Sequence, residues 1–267
     1  MVEALTIYRK LITARARAQL QYRTSFVLDL IGAFFVAFTD FLAILIIFRH
    51  IPSMGGWTVA QVAFLYGTSC LAFAFTDLVL GHLDSFPTLI REGSFDVILV
   101  RPLGSLFQVI SGDIALRRIG KALQAVLVLS FAVSRLDIAW SPLKLGMLLV
   151  SIASGVIIFS AVWIIGAAVV FWTVDTFEVT NAFTYGGSFL TQYPINIYGT
   201  WVRRFLAFIV PMAFVSYFPA LYILDKADPL GLPSFLMFMS APVAVLSALI
   251  AGAVWRFAVR HYTSTGS

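Results

Sequence analysis

Three carboxylates stand inside otherwise apolar runs. Asp29 and Asp40 fall within a run over 26–48, and Asp77 within a run over 59–81. A carboxylate at the centre of a membrane-crossing helix costs about 2.5–3.5 kcal/mol on insertion scales, so each should face a cavity or a partner rather than lipid. Two chemistries suit them. One is a substrate or proton path, in which acidic groups meet a cation. The other is structural, an ion pair or an interface residue. Asp29 enters its run by about one turn and Asp77 leaves its own by about one turn, so the two are expected at one depth, near Arg117 and Arg118. Asp40 lies deeper, about 20 Å past the start of its helix at 1.5 Å per residue.

Constellations that would make the chain an enzyme are missing. Gly120-Lys121 lacks both the glycine five positions earlier and the following Ser or Thr of a phosphate-binding loop. His50, His82 and His261 lie on separate segments without metal-ligand spacing. There is no nucleophile elbow of the form G-x-S-x-G. Catalysis within this chain, and a bound cofactor or metal, are therefore not expected. The single cysteine, Cys70, lies in an apolar run and reads as a small buried hydrophobe.

The elements that must position the three acids follow from composition. Of 267 residues, 60% are hydrophobic and 12% charged, and the mean hydropathy is +0.95. Soluble domains carry about twice that share of charge, so the chain reads as one all-α polytopic membrane domain over 1–267. Six spans are expected, at 26–48, 59–81, 114–133, 145–174, 205–224 and 235–257. The fourth has 30 residues and would reach about 45 Å against a hydrocarbon core of about 30 Å, so it must tilt, bend near Gly155 or Gly166, or project. Residues 3–23 carry a weak apolar stripe through Ile7, Leu11, Ala14, Ala18 and Tyr22, which predicts an interfacial amphipathic helix within 1–24. No cleavable signal peptide is evident, and the first span is expected to direct insertion.

Lysine and arginine orient the spans. With the N-terminus in the cytoplasm, the inner segments hold Arg9, Lys10, Arg15, Arg17, Arg23, Arg91, Arg101, Arg117, Arg118, Lys121, Arg203, Arg204, Arg256 and Arg260, which is 14 of 18. Both chain ends are then cytoplasmic. Positive charge spread over every inner segment is not the single patch that nucleic acid requires. Two loops stand out: 83–113, charged and carrying Pro87, Gly93 and Pro102, and 175–204, which reads as an interfacial segment with a break. Pro211 and Pro219 permit a broken fifth span, and broken helices at membrane depth line cavities.

The run Arg91-Glu92-Gly93-Ser94-Phe95-Asp96-Val97-Ile98-Leu99-Val100-Arg101-Pro102-Leu103 resembles the E-G-x-[FL]-D-x-x-L-x-R-P signature of bacterial ABC-2 type permeases, the membrane subunits of ATP-driven exporters. Val100 stands where that family often has Leu. A second match, Tyr193-Pro194-Ile195-Asn196-Ile197-Tyr198-Gly199, followed by Phe208-Ile209-Val210-Pro211 and Tyr217-Phe218-Pro219-Ala220, is similar to the pattern of one six-span branch of that family. The resemblance covers essentially the whole chain. It implies that the 83–113 loop docks on a separate ATPase subunit that binds ATP and Mg. It also implies that Arg91, Glu92, Phe95, Asp96, Arg101 and Pro102 form that contact, with Phe95 as an anchor in the partner's cleft. A second permease, identical or related, is implied across spans one and five, with lipid around the pair. Asp29, Asp40, Asp77, Tyr193 and Pro211 are then the candidate substrate-pathway residues, for a hydrophobic or amphipathic molecule such as a drug, antibiotic, peptide or lipid-like compound. The alternative is a secondary transporter driven by an ion gradient through the buried aspartates; such proteins typically carry inverted repeats, and none is apparent.

Overall fold

A computed structural model describes residues 13, 14, 17, 19, 21–173 and 177–263. Most of the expected interfacial helix over 1–24 lies outside the described residues. Within it, Gln19 donates through Nε2 to the Ile114 carbonyl (2.5 Å) and accepts from the Leu116 N–H (3.1 Å).

The helices are α1 (Arg23–His50), α2 (Val59–Leu80), α3 (Phe86–Arg91), α4 (Ser94–Leu99), α5 (Ser105–Ile110), α6 (Ile119–Arg135), α7 (Pro142–Thr173), α8 (Phe177–Thr191), α9 (Thr200–Arg204), α10 (Tyr217–Ile223) and α11 (Ser240–Arg260), with no strand among the described residues. The start of α2 follows from local chemistry. Thr58 accepts from the Gln61 N–H and the Gln61 side chain accepts from the Thr58 N–H (3.4 and 3.1 Å), a reciprocal box that satisfies two orphan donors.

The turn 51–58 marks one end of the bundle and the segment 81–118 the other. Helices α1, α2 with its extension to Arg91, α7 and α11 are each long and apolar enough to cross a membrane. Helix α6 has 17 residues and α8 has 15, about 25 and 22 Å. Both nonetheless run between the two ends. Helix α6 starts where Arg118 meets Asp77 and passes Gly67 at Leu129. Helix α8 starts where Thr180 packs on Gly166, and its continuation ends where Asn196 Nδ2 donates to the Gly55 carbonyl (2.7 Å).

That path corrects the expected fifth span. Residues 205–224 do not cross. Asn196 binds the 51–58 turn, and so does Lys226, whose Nζ donates to the Gly56 carbonyl (2.8 Å). The chain between them leaves and returns at one end. It descends through α9 and a π-turn (Phe205–Ile209), breaks at Pro211 with a 76° bend, and climbs back through α10. The fifth crossing is α8, inside the segment read as interfacial. The number of crossings stays at six, but Arg203 and Arg204 move to the end opposite Arg118.

Helix α7 is not interrupted at its glycines. It stays helical over 32 residues, with Gly155 and Gly166 placed where Val215 and Thr180 approach closely. Its C-terminal turns lie at the 81–118 end and carry the segment described next, with Phe171 packed on Phe86 and Phe95. The third crossing begins at Ile119 rather than 114, after a turn and a short 3-10 segment, and the sixth begins at Ser240 after a 3-10 turn over Ser234–Phe238.

Candidate functional site

The loop expected over 83–113 is a folded elbow of three short helices, α3, α4 and α5. Gly93 joins α3 to α4 with φ +68°, a left-handed conformation that a side chain would strain. The Gln108 amide donates to the carbonyls of Ile98 (2.9 Å) and Leu103 (2.6 Å), closing the turn that carries Arg101 and Pro102. His82 Nε2 lies 2.7 Å from the Val109 carbonyl oxygen, tying the elbow to the end of α2.

Phe95 is fully buried (0% exposed), which contradicts its expected role as an anchor in a partner's cleft. Its ring lies 5.0 Å from Phe171 of α7, 5.2 Å from Tyr262 and 5.6 Å from Phe86, edge to face. Trp255 of α11 completes the cluster and donates from Nε1 to Ser105 Oγ (3.2 Å). Phe95 therefore fastens the elbow to two spans. The outward face is made instead by Val97, Leu99 and Val100, the last 83% exposed. Arg91, Glu92, Arg101 and Pro102 are exposed around them, and Asp96 is half-buried.

The three aspartates separate. Asp77 is completely buried and pairs with Arg118 (2.9 Å), whose side chain is 25% exposed. It is committed to a structural ion pair rather than open to a cation. Asp29 does share that depth, since Gly120 packs against the Leu30 backbone, but it is exposed on α1 and not turned to the pair. Asp40 is half-buried and within electrostatic reach of Lys121 and Tyr193. Beside it, the Tyr66 hydroxyl donates to the Ala37 carbonyl (2.8 Å) and receives Gln124 Nε2 (3.3 Å). Asp40 and Tyr193 are thus the two candidate pathway residues within electrostatic reach of each other. Asp77 lies apart, and Pro211 lines an apolar cavity at the tip of the hairpin.

Sequence reasoning passed over Asp84. Its carboxylate accepts from Trp163 Nε1 (3.0 Å) and from the Tyr185 hydroxyl (2.9 Å), linking the end of α2 to α7 and α8. The signal was present: Asp84 follows Asp77 by seven residues, two turns along one helical face. Trp163 also needed an acceptor in a helix without acids.

Gly81 sits between these groups. A Cβ there would lie 2.3 Å from Asp77 Oδ1. We expect Gly81→Ala to cost about 1–3 kcal/mol, read as a lower unfolding temperature in mild detergent. An unchanged transition would mean the carboxylate has room to move.

A protein-family model described as ABC-2 family transporter protein matches residues 34–266. No curated protein and no solved structure gives a match. With four helices long and apolar enough to cross a membrane, the folded elbow at the 81–118 end and a family match over most of its length, the chain belongs to the ABC-2 family of transporter proteins.

Proposed function

We propose that this chain is the permease of an ATP-driven exporter, and that a separate ATP-binding-cassette subunit docks on the elbow within 83–113. ATP and Mg are bound and hydrolysed on that partner, and the permease moves a hydrophobic or amphipathic substrate. One observation carries the reading: the elbow is fastened inward by Phe95 and apolar outward at Val97, Leu99 and Val100. An exposed aliphatic patch rimmed by Arg91, Glu92 and Arg101 suits the cleft of a soluble partner, with a desolvated centre and a charged rim. Closure of the ATPases would pull the elbow, and through the Phe86–Phe95–Phe171–Trp255 cluster it would pull α7 and α11 as well. The elbow end holds Arg23, Arg91, Arg101, Arg117, Arg118, Arg256 and Arg260, so the positive-inside rule makes it cytoplasmic in the cell membrane, together with both chain ends.

The second permease, identical or related, has its best support on α1. Asp29 and Asp40 are eleven residues apart, which returns them to within about 20° of one helical face. That face also exposes Ile47 and Val36. Carboxylates on a lipid-facing stripe are costly, so a partner chain or an aqueous cavity between two permeases covers it.

The test is a pull-down of the tagged chain from mild detergent with an ATPase assay on what accompanies it. Val97→Glu with Val100→Glu, both at exposed positions, is expected to reduce ATPase recovery at least about tenfold without lowering the unfolding temperature. A wild-type chain recovered without any ATPase would overturn the reading. It would favour the ion-coupled alternative, for which the Asp40–Lys121–Tyr193 group is the specific observation.

A further inference from the structure

An apolar cavity of about 650 Å³ opens on the flank of the bundle, between α7, the start of α8, the hairpin and α11. Its walls are almost wholly hydrocarbon, with Val162 and Ile165 on one side and Phe208, Leu246 and Ile250 on another. Phe208, Ile209, Leu246 and Ile250 are large, apolar and exposed at its mouth, so it opens toward the acyl chains of the surrounding membrane. Along α11 it runs from Met239 to Ile250, about 16 Å at 1.5 Å per residue and close to half of a hydrocarbon core of about 30 Å. Its length is that of one leaflet.

A smaller cavity of about 250 Å³ shares Ala207 and Phe208 with the first. It holds Thr200, Arg203 and Arg204, walled by Ile195, Leu230 and Leu232. Ile195 neighbours the Asn196 that binds the 51–58 turn, so the arginines lie at the end of the cavity nearer that turn. Arg203 Nη2 donates to Thr200 Oγ1 (2.9 Å). Among the described residues, neither arginine has a carboxylate at ion-pair distance. The nearby acid, Asp228, is occupied: it accepts from the Tyr217 hydroxyl (2.7 Å) and from the N–H groups of Leu230 and Leu232 (3.1 and 3.2 Å), which fixes the loop forming the wall.

An apolar slot one leaflet long, joined at its outer end to two unpaired arginines, has the polarity of a single ligand. We propose that the two cavities together hold one anionic phospholipid of the surrounding bilayer, with an acyl chain along α11 and the headgroup phosphate between Arg203 and Arg204. Guanidinium forks match phosphate geometry, and the apolar walls accept a chain without unsatisfied polar atoms. The lipid would fill the space left where Pro211 breaks the hairpin and hold α9 against α7 and α11. This site requires only that the chain span a membrane, and is independent of the ATPase partner.

Native mass spectrometry of the purified protein, equilibrated with equal amounts of phosphatidylglycerol and phosphatidylcholine, tests it. One retained phosphatidylglycerol is expected, preferred about 30-fold by the two arginines together. Arg203→Gln with Arg204→Gln should abolish the preference, and Arg203→Lys with Arg204→Lys should keep most of it. Ser247→Trp, which fills the slot, should expel both lipids. Should that variant fail to fold, the arginine pair decides the matter, since Arg204 is exposed and Arg203 only half-buried. Equal retention of the two lipids, a preference unchanged in the glutamine variant, or a dimer that covers the cavity without lipid would each overturn the proposal.

Discussion

Arg118→Gln is expected to destabilise the protein by about 3–5 kcal/mol, because it leaves the enclosed Asp77 carboxylate uncompensated; Asp77→Asn should cost less, because the Arg118 side chain is 25% exposed and keeps some access to water. The double variant Asp77→Asn with Arg118→Gln should recover part of that loss. The single effects would then not add, which is the signature of direct coupling. Three features make this effect large. Asp77 is fully enclosed, its ion pair with Arg118 spans 2.9 Å, and Gly81 packs against the carboxylate with no room for even a methyl group. The pair also fixes register. It holds the entry of α6 against α2, and Lys121 one turn further along α6 lies over the Phe73 ring at 4.3 Å. Thermal unfolding in mild detergent reads all three variants. Two single substitutions each within about 1 kcal/mol of wild type, and additive in combination, would show that the pair is dispensable and would return Asp77 to the candidate substrate path.

The crossings made by α1, α2 and α7 were legible because these are long apolar runs, and their expected limits lie within a few residues of the helices formed. The fifth crossing was not. Helix α8 carries Glu178, Asn181, Thr184, Ser188 and Thr191 in 15 residues, too short and too polar to be recognised against lipid. It tolerates that composition because several of its polar groups find partners inside the protein: Tyr185 binds Asp84, Thr184 donates to the Thr180 carbonyl, and the Thr191 and Ser69 hydroxyls lie 2.5 Å apart. The hairpin is the converse. Its residues are apolar enough to pass for a span, yet Pro211 turns them back, and Ser216 and Ser240 donate to the Thr191 and Phe214 carbonyls (both 2.8 Å) freed by irregular backbone. Hydropathy reports what a helix would tolerate in lipid. It does not report whether lipid is what the helix meets.

The elbow shows a similar limit. Its motif was recognisable residue by residue, but the direction in which Phe95 points depends on Phe171, Trp255 and Tyr262, more than seventy positions away in sequence. Arg203 and Arg204 were placed at the wrong end for the same reason, because their side of the membrane follows from which segment crosses just before them.

Phe95→Ala is the second large effect, about 3–5 kcal/mol from the cavity it would leave among Phe86, Phe171, Trp255 and Tyr262. Because this ring joins the elbow to α7 and α11 rather than to the partner, its loss and the loss of Val97 with Val100 should be distinguishable. The exposed pair, changed to glutamate, should prevent the ATPase from binding while the unfolding temperature stays at the wild-type value. Phe95→Leu, which keeps most of the volume, is expected to fold and still to recover the ATPase. It should loosen the mechanical link, so that ATP is hydrolysed with less substrate moved for each turnover. If Phe95→Leu instead removed the ATPase as completely as the glutamate pair, with no change in unfolding temperature, then Phe95 would act at the partner surface, and the cluster could not be the lever that carries elbow motion into the spans.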